Sequence, residues 1–163
     1  LKLFRHLKII LMIKVNVIVG NKNWNKHIKQ PELYLKKKIK KLYKNNQIFK
    51  NKNLEFSILL SDKYEIKKLN KKFRKKNKST DVLSFPFYEK KQITKFLKKK
   101  SIFYLGDIII NLSETKNKSY TVENKLDEYW IHGFVHLLGG RHEKKKEYLK
   151  MKNMEKKFYK SIN

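Results

Sequence analysis

At 163 residues the chain has room for one domain with a real hydrophobic core. It contains no cysteine, which excludes disulfides, thiolate zinc sites and cysteine nucleophiles and fits a reducing cytoplasm, so any metal site must use His, Asp and Glu. Forty-two Lys and Arg against 14 Asp and Glu set a formal charge of +28, a field that draws in polyanions. A bias toward Lys, Asn and Ile across the whole chain accounts for part of that charge, so it points only weakly to nucleic acid.

The first stretch, LKLFRHLKIILMIKVNVIVG, is basic and then apolar. Its uncharged run from Ile9 to Ile13 is too short for the core of a signal peptide, and no window approaches a membrane span. Residues 1–11 are expected to be an upstream extension, with Met12 as the natural start and 12–163 as the single domain. The alternation of Ile13, Val15, Val17 and Val19 predicts a first strand ended by Gly20. Pro31 opens a helix carrying Leu35, Ile39, Leu42 and Tyr43 at helical spacing. LEFSILL (54–60) predicts a second strand, and Ser61 an N-cap for a helix through Phe73.

A basic loop then leads to a short β-rich run that Pro86 ends. Residues 88–101 are lysine-rich and poorly patterned and are expected to form a mobile excursion. IFYLGDIIIN (102–111) is the most apolar strand and is expected to be central in a sheet. Thr121 can cap a helix through Leu138, with Gly139 as its stop. The last helix carries Tyr148, Met151, Met154 and Phe158 as an expected core stripe. The fold class is α+β: one domain, a mixed sheet of about four strands flanked by helices, in the order β-α-β-α-β-β-α-α.

Three of the five histidines fall within WIHGFVHLLGGRHE (130–143). His132 and His136 are four residues apart, hence on one helix face one turn apart. Gly139 and Gly140 permit a reversal that returns His142 to them. Three histidines on a helix and its following turn make an open metal site, for zinc or another first-row divalent ion. His6 and His27 lie in unrelated contexts and receive no role.

Where a peptidase of the H-E-x-x-H type keeps its glutamate base, this chain has Gly133. Three neutral ligands also leave an ion its full charge, which suits an anionic phosphodiester more than a peptide. Arg74 ends a helix before the basic loop. It reads either as a bidentate phosphate clamp or as a solvated helix-end cation. Thr80 and Asp81 read as turn formers, with Asp81 also able to orient a histidine.

The segments LNKKFRKKNKSTDVLSFPF (69–87), YLGDIIIN and HGFVHLLGGRHE, in this order and spacing, resemble the bacterial YbeY family of single-strand-specific metallo-endoribonucleases. The resemblance spans roughly residues 12–160. It implies a zinc ion on His132, His136 and His142, and Arg74 as a catalytic or phosphate-binding residue. It also implies maturation of the 16S rRNA 3′ end, ribosome quality control, and rRNA and the small ribosomal subunit as partners. Phe73 stands where the family has tyrosine. Gly140-Arg141 stands where the family has Tyr-Asp, so Arg141 is expected to face solvent, Glu143 or substrate phosphate. Two other readings stay open: a ribosome-assembly factor that binds rRNA and uses the metal as a staple, and, disfavoured by Gly133, a metallopeptidase.

Overall fold

The computed structural model describes residues 12–96, 102–115 and 120–163. β1 (Ile13–Val19) pairs in parallel with β2 (Asn53–Ser61), and β2 in parallel with β4 (Ile102–Asn111). β3 (Val82–Pro86) runs antiparallel to β4, giving a mixed four-stranded sheet of order β1-β2-β4-β3. The apolar run 102–111 is thus an inner strand, as its composition predicts. Pro86, which has no ladder donor, ends the edge strand β3. Opposite it, β4 carries a bulge: Glu55 pairs with Tyr104 but Ser57 with Asp107. Gly106 sits there at φ +132, and a β-carbon on it would meet the Phe85 carbonyl oxygen at 2.1 Å.

Three helices cover one face of the sheet: α1 (Pro31–Asn45), α5 (Val122–Leu137) and α6 (Lys145–Ile162). Alternate residues of β2 and β4, among them Phe56, Ile58, Ile108 and Ile110, pack with Leu35, Ile39, Trp130, Phe134 and Phe158 in one core. α2 (Lys63–Arg74) covers the opposite face through Ile66, which packs with Leu83 and Ile109. This is an α+β domain with its site-bearing helices on the larger core.

Tertiary context changes several local expectations. Ser61 is the last residue of β2, not a cap. Asp62 caps α2, its Oδ1 accepting from the Tyr64 and Glu65 amides at 2.9 Å each. Its carboxylate has acceptor capacity for both amides, while Ser61 donates to Glu65 Oε2 at 2.7 Å. Residues 90–96, expected to be part of a mobile excursion, form the short helix α3 (Lys90–Phe96), while 97–101 lie outside the described residues, as does the 1–11 extension. A further one-turn helix, α4 (Leu112–Thr115), follows β4. In α6, Met151 and Phe158 are buried, but Tyr148 and Met154 of the expected stripe are exposed; Ile162 completes the core instead.

One buried polar network ties α5 to α1. Asp127 is fully buried and accepts from Tyr34 Oη at 2.9 Å and Trp130 Nε1 at 3.0 Å, with Lys38 Nζ at 2.9 Å. Burial, and then the Asp127 carboxylate, push the Tyr34 hydroxyl well above its ordinary pKa. The network lies just over one helical turn before His132 and so fixes the axial position of α5.

Candidate metal centre

α5 begins at Thr121, whose Oγ1 accepts from the Asn124 amide at 3.2 Å, and ends in two interlocked backbone bonds. The Gly139 amide donates to the His136 carbonyl and the Gly140 amide to the Val135 carbonyl, each at 2.9 Å. With Gly139 at φ +88, this is a Schellman stop. A β-carbon at Gly140 would fall 2.6 Å from Val135 Cγ1 and 2.8 Å from the Val135 carbonyl oxygen. The turn needs both glycines, and it sets the chain direction for His142.

The same turn orients His136. Its Nδ1 lies 2.9 Å from the Gly140 carbonyl oxygen, which only accepts, so Nδ1 carries the proton and Nε2 presents a lone pair. Burial, with the neighbouring His132 next, pushes the His136 pKa down to about 4, leaving a neutral imidazole at neutral pH. His132 is oriented from another helix: Nδ1 lies 2.7 Å from Glu155 Oε1 on α6. Glu155 is only 14% exposed, and its other oxygen takes Lys152 Nζ at 3.0 Å. Burial alone would raise this carboxyl; the His132 and Lys152 bonds outweigh burial and hold it below its ordinary range, so it accepts the His132 proton.

Both Nε2 atoms thus turn lone pairs toward one point, 3.1 Å apart. Two facing acceptors repel each other unless a cation lies between them. Tetrahedral zinc with bonds of 2.0–2.1 Å separates two nitrogens by about 3.3 Å. His142 joins them from the turn, its ring 5.1 Å from that of His136 and 5.9 Å from that of His132. One ligand atom from each of the three lies within 4.8 Å of the others, so the trio can hold a metal ion. The donor set fits: nitrogen ligands, two of them fixed in the ligating tautomer by backbone or carboxylate.

Arg74 lies on the same side. A cleft of about 250 Å³ is lined by Arg74, Ser84, Tyr88, His136, Arg141 and His142, among others. Left-handed Lys75 stops α2 immediately after Arg74. The guanidinium donates from Nη2 to the Ser84 carbonyl at 3.0 Å and lies 5.8 Å from the Phe85 ring centre. Arg141 is exposed, sits 3.7 Å from Glu143 in a weak pair, and lines the same cleft as His136 and His142.

Asp81, which could have oriented a histidine, instead accepts from Thr80 Oγ1 at 2.9 Å and the Val82 amide at 2.7 Å. Glu155 takes that role, and sequence reasoning missed it. Its available signal was a lone acid in the lysine-rich second half of α6. Gly133 also acquires a different meaning: a β-carbon there would meet Ile108 Cγ2 at 2.7 Å. Position 133 faces the sheet, so packing demands glycine, and a glutamate there would be driven into the core.

Fold and site together define an α+β protein with three histidines that can hold a metal ion beside a cleft that Arg74 and Arg141 line. The family model described as endoribonuclease YbeY matches residues 19–163, and the chain belongs to the YbeY family. Among its relatives, Endoribonuclease YbeY of Pelagibacter ubique is 44% identical over 155 residues, covering 93% of this chain and 97% of that one. Endoribonuclease YbeY of Buchnera aphidicola subsp. Acyrthosiphon pisum is 39% identical over 156 residues, covering 93% and 92%. The solution structure of TM1509 from Thermotoga maritima aligns with TM-score 0.50 at 25% identity, over 93% of this chain and 89% of that one. Among the described residues, no helix is long and apolar enough to cross a membrane.

Proposed function

We propose that this protein is a zinc-dependent endoribonuclease that hydrolyses phosphodiesters of single-stranded RNA in the cytoplasm. Its place is in maturation of the 16S rRNA 3′ end on the small ribosomal subunit and in ribosome quality control. The observation that carries the reading is the pair of Nε2 lone pairs of His132 and His136, 3.1 Å apart, with His142 beside them and Arg74 in the adjoining cleft. His132, His136 and His142 would hold the ion. When bound, it supplies Lewis acidity toward a phosphodiester oxygen and the attacking water.

The chain's own residues do the rest. Glu155 and the Gly140 carbonyl fix the two helical histidines, so neither ring must reorient when the site loads. Arg74 spends one of its five N–H donors on Ser84, leaving the others for the two oxygens of a phosphate. Its cation stabilises the charge that builds on those oxygens as the bond to phosphorus breaks. Arg141, exposed at the rim of the cleft, adds a second cation for substrate phosphate.

One observation favours the reading as an rRNA-binding assembly factor. The one carboxylate with a hydrogen bond to the three histidines among the described residues, Glu155, is taken up by His132 and Lys152 and so is not placed to act as a base. A single assay separates the readings: zinc-loaded or chelated protein is offered single-stranded RNA, duplex RNA and a denatured protein. Chelator-sensitive cutting of the single strand alone is expected. Binding without cutting, unchanged in His132→Ala, would establish the assembly factor, and peptide products a peptidase.

A further inference from the structure

The three histidines divide between two cavities. His136 and His142 line the cleft of Arg74, whereas His132 lines a separate cavity of about 820 Å³. The two cavities differ in chemistry. Beside the Arg74 cleft stands an aromatic group: Phe87 is 66% exposed, with its ring 5.0 Å from that of Tyr88, which lines the cleft, and 6.1 Å from that of Tyr104. A phenylalanine two-thirds exposed, with two T-shaped aromatic neighbours, leaves much of its ring surface to a flat apolar group.

The His132 cavity is walled in part by α6. Its acids are already committed: Glu155 to His132 and Lys152, Glu128 to Lys125 at 2.7 Å, and Asp81 to its own loop. Lys156 and Lys160 line it as well, and among the described residues neither carries an ion pair. They are one helical turn apart, about 6 Å along the axis, and Lys156 directly follows the carboxylate that holds His132. Two unpaired lysines one turn apart in the cavity that His132 lines favour a repeated anion.

We infer that a single RNA strand passes the three histidines from one cavity to the other, with a base stacked on Phe87 beside the Arg74 cleft and successive phosphates on Lys156 and Lys160 in the His132 cavity. The inference rests on the endoribonuclease reading and deepens it. A strand held in both cavities has its scissile phosphate inside the chain, not at an end. Stacking is indifferent to base identity and unavailable to a duplex, whose bases already stack on one another.

The two halves give different signatures. Binding of a fluorescein-labelled single-stranded RNA of mixed sequence to the zinc-loaded protein is measured by anisotropy across a salt series. Lys156→Ala/Lys160→Ala is expected to weaken binding about tenfold at low salt and to flatten the salt slope by about 1.4, since each phosphate contact contributes about 0.7. Phe87→Ala is expected to weaken binding about tenfold with the slope unchanged. Lys22→Ala/Lys26→Ala, which removes the same charge from a distant 3-10 turn, controls for the overall field and should cost less than about twofold. Equal losses in both lysine pairs, or parental affinity in Phe87→Ala or in Lys156→Ala/Lys160→Ala, would overturn the path while leaving the nuclease reading standing. Absence of any binding by the parent protein would overturn both.

Discussion

Glu155 on α6 accepts the Nδ1 proton of His132 on α5 at 2.7 Å, so the candidate metal ligands on α5 and its following turn are braced from a second helix. The carboxylate fixes the tautomer and makes the imidazole a stronger donor. Glu155→Gln keeps the shape but removes the negative charge. It is expected to weaken zinc binding by about 10- to 100-fold in a competition titration against a chromogenic chelator, with the folded circular dichroism spectrum retained. Unchanged affinity would show that His132 needs no such support.

Arg74 is held by the Ser84 carbonyl and lies beside Phe85, yet it lines the cleft of His136 and His142. Arg74→Ala should lower cleavage of single-stranded RNA by about tenfold or more with zinc stoichiometry unchanged. Arg74→Lys should recover only part, because an ammonium lacks the planar fork. Cleavage by Arg74→Ala within about twofold of the parent would remove the role assigned to it.

Gly133 is buried on α5, and a β-carbon there would meet the core residue Ile108 of β4 at 2.7 Å. Gly133→Ala should destabilise the protein by about 1–3 kcal/mol in urea unfolding through overpacking. Ile108→Ala alone should cost about 2–5 kcal/mol through its cavity. Because the added methyl occupies part of that cavity, the double variant should lose clearly less than the sum. Additive losses would mean the two positions do not meet.

Asp62 caps α2, and the Glu65 amide, followed by the Asn21 side chain, holds its carboxyl below the ordinary aspartate range. A depressed folded value means that its contribution is complete above the unfolded pKa near 3.8 and disappears as pH falls through the folded value. Asp62→Ala should therefore cost about 1 kcal/mol at pH 7. The gap between parent and variant should narrow as the medium is acidified below the unfolded value. A gap that widens in acid would contradict the cap.

Much of this was legible locally. Period-two alternation marks β1 and β2, and the histidine spacing with its glycine pair already specifies two ligands on one helix face and a return of the third. Glu155 was not legible, because its partner lies 23 residues away on another helix and nothing in α6 distinguishes a buried acid from a solvated one. The packing role of Gly133 depends on which α5 face meets β4, and periodicity does not determine that for a helix apolar on most sides. α3 stayed hidden because its lysines mask Ile93, which is buried. The α6 stripe was misread at Tyr148 and Met154 because the helix meets the core along the line of Met151, Phe158 and Ile162, spaced seven and four residues apart, and the other two lie off that line.

The most direct test of the central claim is the zinc content of protein purified without added metal, measured by elemental analysis beside His132→Ala, His136→Ala and His142→Ala. The account predicts about one zinc per chain in the parent and a loss of most of it in each variant. Metal-free parent protein that takes up no zinc on titration, or full zinc occupancy in all three variants, would contradict it.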